Sequence, residues 1–372
     1  MKTETIELLN DVPGTRRSLT VLRFGTPGHG PKAYLQAALH ADEVPALVVT
    51  HVLREQLAAL EAAEQITGEI ILVPYANPIG LGQIVLGQQQ GRFALNDGKN
   101  FNRGFADLAP RVKTLIESER ADSPARPALQ EVKAAIRQAA SELGASTPAE
   151  DLKRQLLRLA ADADVVLDLH CDADAVMHLY ALTPQAAEAT QLGALLRARA
   201  VLLATESGDS PFDEACSALW LRLQQALPGH RLPLACFAAT VELRGEADTN
   251  IDLARQDAAA LLDFLRLRGL IKGPTPVVPE PACAATPLSG SEPMTAPVSG
   301  VVVFHRHPGE HVAAGDLIAE VLDPVNGTAH PVHCKSAGVF YARCGSRWAP
   351  AGKRLGKIAG TSLARTGKLL SP

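Results

Sequence analysis

Four short stretches of this chain carry side chains that could do chemistry. Each falls where an apolar run gives way to polar residues. The first is residues 38–43, ALHADE, in which two residues separate His40 from Glu43. An imidazole nitrogen and a carboxylate oxygen that bend round one point from a turn suit Zn²⁺. Taken alone, the pair also fits an ordinary polar surface turn. The second is Asp168-Leu169-His170, closing the strongly apolar run DVVLDLH. With the strand period of two, Asp168 and His170 face the same side. The carboxyl end of a parallel strand is where α/β sheets place their sites, which makes His170 a third metal-ligand candidate. Its bland alternative is a histidine that caps a strand against a neighbour.

The third stretch is Asn100-Phe101-Asn102-Arg103, where a guanidinium beside an amide offers forked recognition of a carboxylate. The fourth is residues 240–244, TVELR, with Glu242 near the end of an apolar strand. A carboxylate partly withdrawn from water beside a metal can take a proton from water and return it later. The alternative is a strand-end charge paired with Arg244 or Arg255. Cys171, next to His170, has no His-Asn arrangement of its own and reads as a packed small residue. His305, His307, His311, His330 and His333 crowd the end of the chain. They read as exposed loop residues, with an accessory metal site as the alternative.

Such groups need strands and turns to hold them. Residues 18–24, 33–39, 68–74, 164–170 and 238–243 read as strands, and 68–74 (GEIILVP) is apolar on both faces, as in the middle of a covered sheet. Helices are expected from about residue 44, near 185–200 and 213–227, and over 250–268. Residues 77–104 are rich in Gly, Asn and Gln and show no period, which in a compact domain marks a functional or disordered loop. Residues 110–161 are charged, with apolar positions at i, i+3, i+4 and i+7. Alternating elements of this kind predict an α/β fold with a mostly parallel, doubly wound sheet.

The composition changes at residue 271. Residues 271–296 are rich in proline and read as a linker. Residues 297–372 read as a small all-β domain of short strands punctuated by glycine. Two halves of the pattern, beginning at SGVVVF and SAGVFY, are similar to the flattened barrel-sandwich of biotinyl and lipoyl carriers. The turn that would present a modifiable lysine, DPVNGTAH at 323–330, has none, and Lys335 lies beyond it. A swinging-arm carrier is therefore disfavoured against a structural or substrate-screening role.

The chain has 372 residues, 47% apolar and 20% charged, enough for two cores. With 4% aromatics, those cores must be built from Leu, Val, Ile and Ala. A net charge of −4 with scattered Lys and Arg gives no footprint for nucleic acid or an anionic membrane. Six cysteines without a CxxC pair indicate neither a disulfide framework nor a thiolate zinc site. The first residues lack the apolar run of a signal peptide, and a cytoplasmic setting with a small-molecule substrate is expected. Oligomeric state is left open, a homo-oligomer included.

Taken in order, HxxE, Asn-Arg, DLH and a strand-borne ELR on such a chain resemble the zinc carboxypeptidase superfamily. Within it the likeness is to the succinylglutamate desuccinylase/aspartoacylase family, over the whole chain. The resemblance implies one Zn²⁺ per chain, held by His40, Glu43 and His170. It makes Glu242 the proton acceptor for the attacking water and Asn102 with Arg103 the holders of a substrate carboxylate. It also offers Arg92 as the arginine that steadies a developing oxyanion. The implied fold is a zinc-carboxypeptidase-type domain over 1–270, with 110–161 as a helical insertion before the third ligand. The implied activity is hydrolysis of a small N-acyl amino acid or related amide, with a carboxypeptidase acting on short peptides as the alternative. Two positions depart from the family's pattern. Residues 38–43 lack the usual glycines, and Asn100 stands where an Asp commonly orients a zinc histidine.

Overall fold

Apolar runs too short to form helices of their own become the middle of one large sheet. The structure, a computed structural model, describes residues 1–119, 127–362 and 364–370; residues 120–126 of the helical stretch lie outside them. The chain opens with β1 (Lys2–Glu7), β2 (Ser18–Gly25), β3 (Lys32–Ala37), α1 (Pro45–Ala62) and β4 (Glu69–Val73). Residues 77–104 hold one turn of helix, α2 (Pro78–Leu81), and a small hairpin of β5 (Ile84–Val85) with β6 (Gln88–Gln89). Next come α3 (Ala109–Glu119), α4 (Leu129–Ser141) and α5 (Pro148–Ala160). They are followed by β7 (Val165–Asp172), β8 (Asp174–Ala175) and β9 (His178–Leu182). The larger sheet is completed by α6 (Ala186–Leu195), β10 (Ala200–Ala204), α7 (Phe212–Ala226), β11 (Phe237–Gly245), α8 (Ile251–Leu267) and β12 (Ala285–Pro287).

The sheet order is β1-β2-β4-β3-β7-β11-β9-β10-β12. β3 runs parallel to β4 and β7, and β7 parallel to β11, so the centre is parallel. β9 lies antiparallel to β11 and parallel to β10. The strand β10 is not expected from the sequence, because a short all-apolar run has no period to separate it from the end of a helix. β12, inside the proline-rich stretch, adds an edge strand beside β10, where proline is tolerated.

Alternation along the central strands splits the core into two layers. Leu35, Leu72, Val165, Leu167, Leu169, Val241 and Leu243 pack on one face with residues of α1, α6 and α8. Tyr34, Ile71, Val73, Val166 and Ala238 pack on the other with α3, α4, α5 and α7. Helices therefore cover both faces. The same alternation puts Gln36, Asp168, His170, Thr240 and Glu242 on the α7 face, in among that second layer.

Beyond the large sheet lie β13 (Glu292–Thr295), β14 (Gly300–Phe304), β15 (His311–Val312), β16 (Leu317–Asp323), β17 (Thr328–His333), β18 (Gly338–Arg343), β19 (Trp348–Ala349) and β20 (Arg354–Ala359). They form two sheets, β13-β20-β18-β15 and β17-β16-β14-β19. Both contribute to one core that includes Met294, Val302, Ile318, Val321, Phe340, Leu355 and Ile358. β16 and β17 make the expected hairpin, its turn closed by Asp323 accepting from Val325 N and Asn326 N. β8 pairs with β18, so the two parts of the chain share a ladder.

One close approach decides where the loop after β6 sits. Ala41 N donates to Gly91 O at 3.1 Å, and a Cβ on Gly91 would lie 2.1 Å from Asp42 N. Only glycine lets the segment carrying Arg92 lie against the turn carrying His40 and Glu43. Gly91→Ala should therefore destabilise by about 1–3 kcal/mol, read as the shift of the denaturant midpoint. Gly144→Ala, whose Cβ would meet nothing within 4 Å, is the control and should leave the midpoint in place.

Candidate active site

The chain leaves β3 through Ala38, a non-glycine residue in the left-handed region at φ 59. This ends the strand two residues earlier than the sequence suggests and swings Leu39 and His40 across the end of the sheet. Glu43 N returns to His40 O at 3.2 Å, and Pro45 starts α1 at once. The turn is thus pinned between a strand end and a helix start, which fixes His40 and Glu43 on one side of it.

His40, Glu43 and His170 meet here and are all buried. Glu43 lies between the two rings: Oε1 is 2.9 Å from His40 Nδ1, and Oε2 is 2.7 Å from His170 Nδ1. Cys171 N also donates to Oε2, at 3.2 Å. The two rings stand edge to face, with centroids 4.9 Å apart.

The outer ring nitrogens decide what the inner ones can do. Asn100 Oδ1 accepts the backbone N–H of Asn102 at 2.7 Å, which fixes that oxygen as an acceptor. It lies 2.9 Å from His40 Nε2, so His40 carries its proton on Nε2. Burial, then the Arg92 charge, hold the His40 pKa below its usual value and keep the ring neutral. His40 Nδ1 is then a lone pair facing a carboxylate oxygen, two acceptors that need a cation between them. Arg92 Nη1 lies 3.2 Å from one and 3.1 Å from the other. For His170, Asp168 Oδ2 lies 2.9 Å from Nε2. Burial would lower the His170 pKa, but Asp168 and Glu43 together raise it well above the usual value.

His40, Glu43 and His170 each offer a ligand atom within 4.8 Å of the others, and with both Nδ1 atoms turned to the Glu43 carboxylate they make the donor set of a three-ligand zinc site. Each ring's far nitrogen lies 2.9 Å from an oxygen, Asn100 Oδ1 for His40 and Asp168 Oδ2 for His170, the kind of neighbour that ligating histidines keep. The residues therefore fit a zinc ion. Asp42 stays outside this set, and among the described residues no second such group occurs. Three tail histidines are engaged singly: His305 with Glu320, His330 beside Thr328, and His333 with Gly315 O.

Glu242 is the register partner of His170 on the adjacent strand, on the same face. A β-bulge between Glu242 and Gly245 bends β11 there, and bulges re-aim side chains. Glu242 pairs with neither candidate arginine, since Arg244 binds Asp257 and Arg255 binds Asp252. Its Oε2 is sealed from solvent and has no hydrogen-bond partner. Burial first, then the Glu43 charge, push its pKa up. The thiol of Cys171 is likewise pushed up by burial, so it is no nucleophile.

Asn102 is a bracket as well as a pocket residue. Its Oδ1 accepts Phe212 N at 2.9 Å, tying this loop to the start of α7. Arg103 Nη1 donates to Asn102 O at 2.7 Å. From behind, Lys153 on α5 donates to Asn100 O at 3.1 Å and to Arg103 O at 2.6 Å. The helical stretch thus helps shape the loop that carries Asn100, Asn102 and Arg103.

All seven candidate residues, His40, Glu43, Arg92, Asn102, Arg103, His170 and Glu242, line one pocket. Several of its other walls carry no signal in the sequence. The strand period puts Asp168 on the His170 side but gives it no role. The structure places it in a buried chain, in which the Tyr34 hydroxyl donates to Gln36 Oε1 at 2.7 Å and Gln36 Nε2 to Asp168 Oδ1 at 2.9 Å. Arg343, Arg354 and Lys357 reach the pocket from β18 and β20, with Lys357 paired to Asp172 and Arg343 to Asp174. Asp213 and Glu214 also line it. No local motif marks Arg343, Arg354, Lys357, Asp213 or Glu214.

The model of the succinylglutamate desuccinylase/aspartoacylase catalytic domain matches residues 29–268. A solved member of that family from Shewanella amazonensis is 26% identical, with TM-score 0.84 over 96% of this chain and 98% of its own. Another from Shewanella frigidimarina is 22% identical, with TM-score 0.82 over 97% of each chain. The product-bound ectoine utilization protein EutE (DoeB) from Ruegeria pomeroyi shares the fold, with 20% identity and TM-score 0.65 over 97% of this chain and 95% of its own. Among curated proteins nothing matches.

Asp168→Asn tests the support behind the third candidate ligand. Zinc affinity, measured by competition with a chromogenic chelator, should fall about 10–100-fold. Unchanged affinity would mean that His170 does not depend on Asp168.

Proposed function

Because the chain belongs to the succinylglutamate desuccinylase/aspartoacylase family, we propose that it is a zinc-dependent deacylase. In this reading it cleaves the amide of a small N-acyl amino acid. The observation that carries the reading is the pair of facing acceptors, His40 Nδ1 and Glu43 Oε1, beside His170, with Glu242 in register on the next strand. Zinc held by His40, Glu43 and His170 would polarise the scissile carbonyl and lower the pKa of a water.

The rest falls to side chains. Glu242 takes the proton of the attacking water on its carboxylate and passes it to the leaving amine. Its raised proton affinity suits a group that must hold the proton between those two transfers. Arg92, whose guanidinium reaches His40 Nδ1 and Glu43 Oε1, steadies the carbonyl oxygen in this reading as negative charge builds there. Arg103 and the Asn102 amide hold the substrate carboxylate, which orients the scissile bond. His170 Nε2 lies 2.9 Å from Asp168 Oδ2 and 3.4 Å from Asn102 Nδ2, so the Asn102 amide stands between that ring and the substrate's carboxylate.

A carboxypeptidase would use the same groups on a longer substrate. The residues that β18 and β20 add to the pocket lining favour the smaller one, since they narrow the space left for a longer chain. Soluble and cytoplasmic action fits this chemistry, and no helix among the described residues is long and apolar enough to cross a membrane.

Glu242→Gln should lose about 10²–10⁴-fold in kcat on an acyl amino acid while binding zinc as the parent does. Full turnover in that variant would remove Glu242 from the chemistry. Cleavage of peptides with free C-termini, without turnover of acyl amino acids, would favour the peptidase.

A further inference from the structure

Glu242 stands at the last regular point of its strand, and the next residues are tied down by an ion pair outside the catalytic pocket. β9 pairs with β11 only as far as Glu242 and His178. On the other side Glu242 is opposite His170 and Gly245 opposite Asp172, so Leu243 and Arg244 together face Cys171. Arg244 takes the left-handed conformation there, at φ 68. Glycine is the ordinary choice where a bulge needs that conformation, because any other side chain is strained in it. Here the strained position carries an arginine.

The strand period shows what the arginine does. On a regular strand Arg244 would stand on the same face as Glu242, within reach of its carboxylate. The bulge sends it the other way. Leu243 is buried in the layer shared with α8, and the Arg244 guanidinium reaches Asp257 on that helix. The contact is a fork: Nη1 donates to Oδ1 at 3.3 Å, and Nη2 donates to Oδ2. Asp257 is 5% exposed, and a buried carboxylate holds its cation firmly because losing it is costly. Arg244 lines a cleft with residues of α6 and α8, apart from the catalytic pocket. Beyond the bulge, Gly245 N donates to Asp248 Oδ2 at 2.9 Å and Glu246 N to Ala173 O at 3.3 Å. Those bonds hold the chain from Gly245 onward, and the ion pair holds the turn between Gly245 and Glu242.

We propose that Arg244 and Asp257 are positioning residues: their ion pair anchors the β11 bulge and so keeps Glu242 turned toward His40, Glu43 and His170. This rests on the deacylase reading above. The pair also keeps the guanidinium off the Glu242 carboxylate, whose Oε2 has no hydrogen-bond partner and is left for the proton of the attacking water.

The test removes the pair as a unit in Arg244→Gly/Asp257→Asn, which leaves no buried charge behind and gives the left-handed position to glycine. The denaturant midpoint checks that this variant folds, and Asp257→Asn alone replaces it should it fold poorly. The substrate is whichever of a set of N-acetyl and N-succinyl amino acids the zinc-loaded parent turns over fastest. In the variant kcat should fall about 10–100-fold, with KM and zinc affinity unchanged. Arg244→Lys, which keeps a charged bond to Asp257, should recover most of that loss. Arg255→Ala/Asp252→Asn, which removes an exposed pair from the same helix, should keep the parental kcat. Full kcat in the first variant, a loss confined to KM, or a lysine variant no better than it, would overturn the anchor and leave the deacylase reading standing. Should the parent turn over no acyl amino acid, that reading fails by itself and hydrogen exchange judges the anchor. Amides of residues 243–246 should then exchange about tenfold faster in the variant, with those of 165–169 unchanged, and equal exchange at 243–246 overturns it.

Discussion

The carboxylate of Glu43, buried between two imidazoles, is the constraint around which the rest is arranged. A carboxylate sealed from water needs compensation on both oxygens. Here Oε1 faces His40 Nδ1 and Arg92, while Oε2 faces His170 Nδ1 and the Cys171 amide. Those contacts tie the exit of β3 to the end of β7, two neighbouring parallel strands. Arg92 can join them only because Gly91 lies against the backbone of Asp42. The outer shell follows from the same need, since each ring must point Nδ1 inward. Asn100 turns His40 and Asp168 turns His170. An amide oxygen therefore does for His40 what a carboxylate does for His170, with less electrostatic pull.

Much of this centre is legible in the chain because its parts obey local rules. His170 and Glu242 end apolar strands, and the period of two alone puts Asp168 on the His170 side. HxxE is held by a turn short enough to be read directly. The glycine-poor approach to His40 is informative too, because Ala38 takes the left-handed conformation that a glycine would adopt freely. What stays hidden depends on tertiary placement. Asp213 and Glu214 look like any acidic first turn of a helix until Asn102 fastens that turn to the pocket. Lys153 looks like one charge among many on a polar helix, yet it grips two carbonyls of the Asn100–Arg103 loop. The direction of β9, antiparallel to β11 and parallel to β10, is written in nothing local to its five residues.

The C-terminal strands line the candidate pocket as well as completing the architecture. β18 pairs with β8, which directly follows the strand carrying His170. Two ion pairs reinforce that seam, Lys357 with Asp172 and Arg343 with Asp174. The carrier-like pattern of this region thus serves as a wall: its hairpin tip lacks a lysine, while basic residues of β18 and β20 turn toward the catalytic face. Arg343 and Lys357 line the pocket as members of ion pairs with Asp174 and Asp172, and Asp213 and Glu214 line it from the start of α7.

The central claim is that His40, Glu43 and His170 hold one zinc ion through two Nδ1 atoms and a carboxylate. The most direct measurement is a crystal structure of the zinc-loaded protein with anomalous data on both sides of the zinc edge. The account predicts one strong peak per chain, about 2.0–2.2 Å from those three donors, with Arg92 drawn off His40 Nδ1. A chain that binds no zinc, or binds it away from these residues with Arg92 still seated on His40 and Glu43, would contradict it.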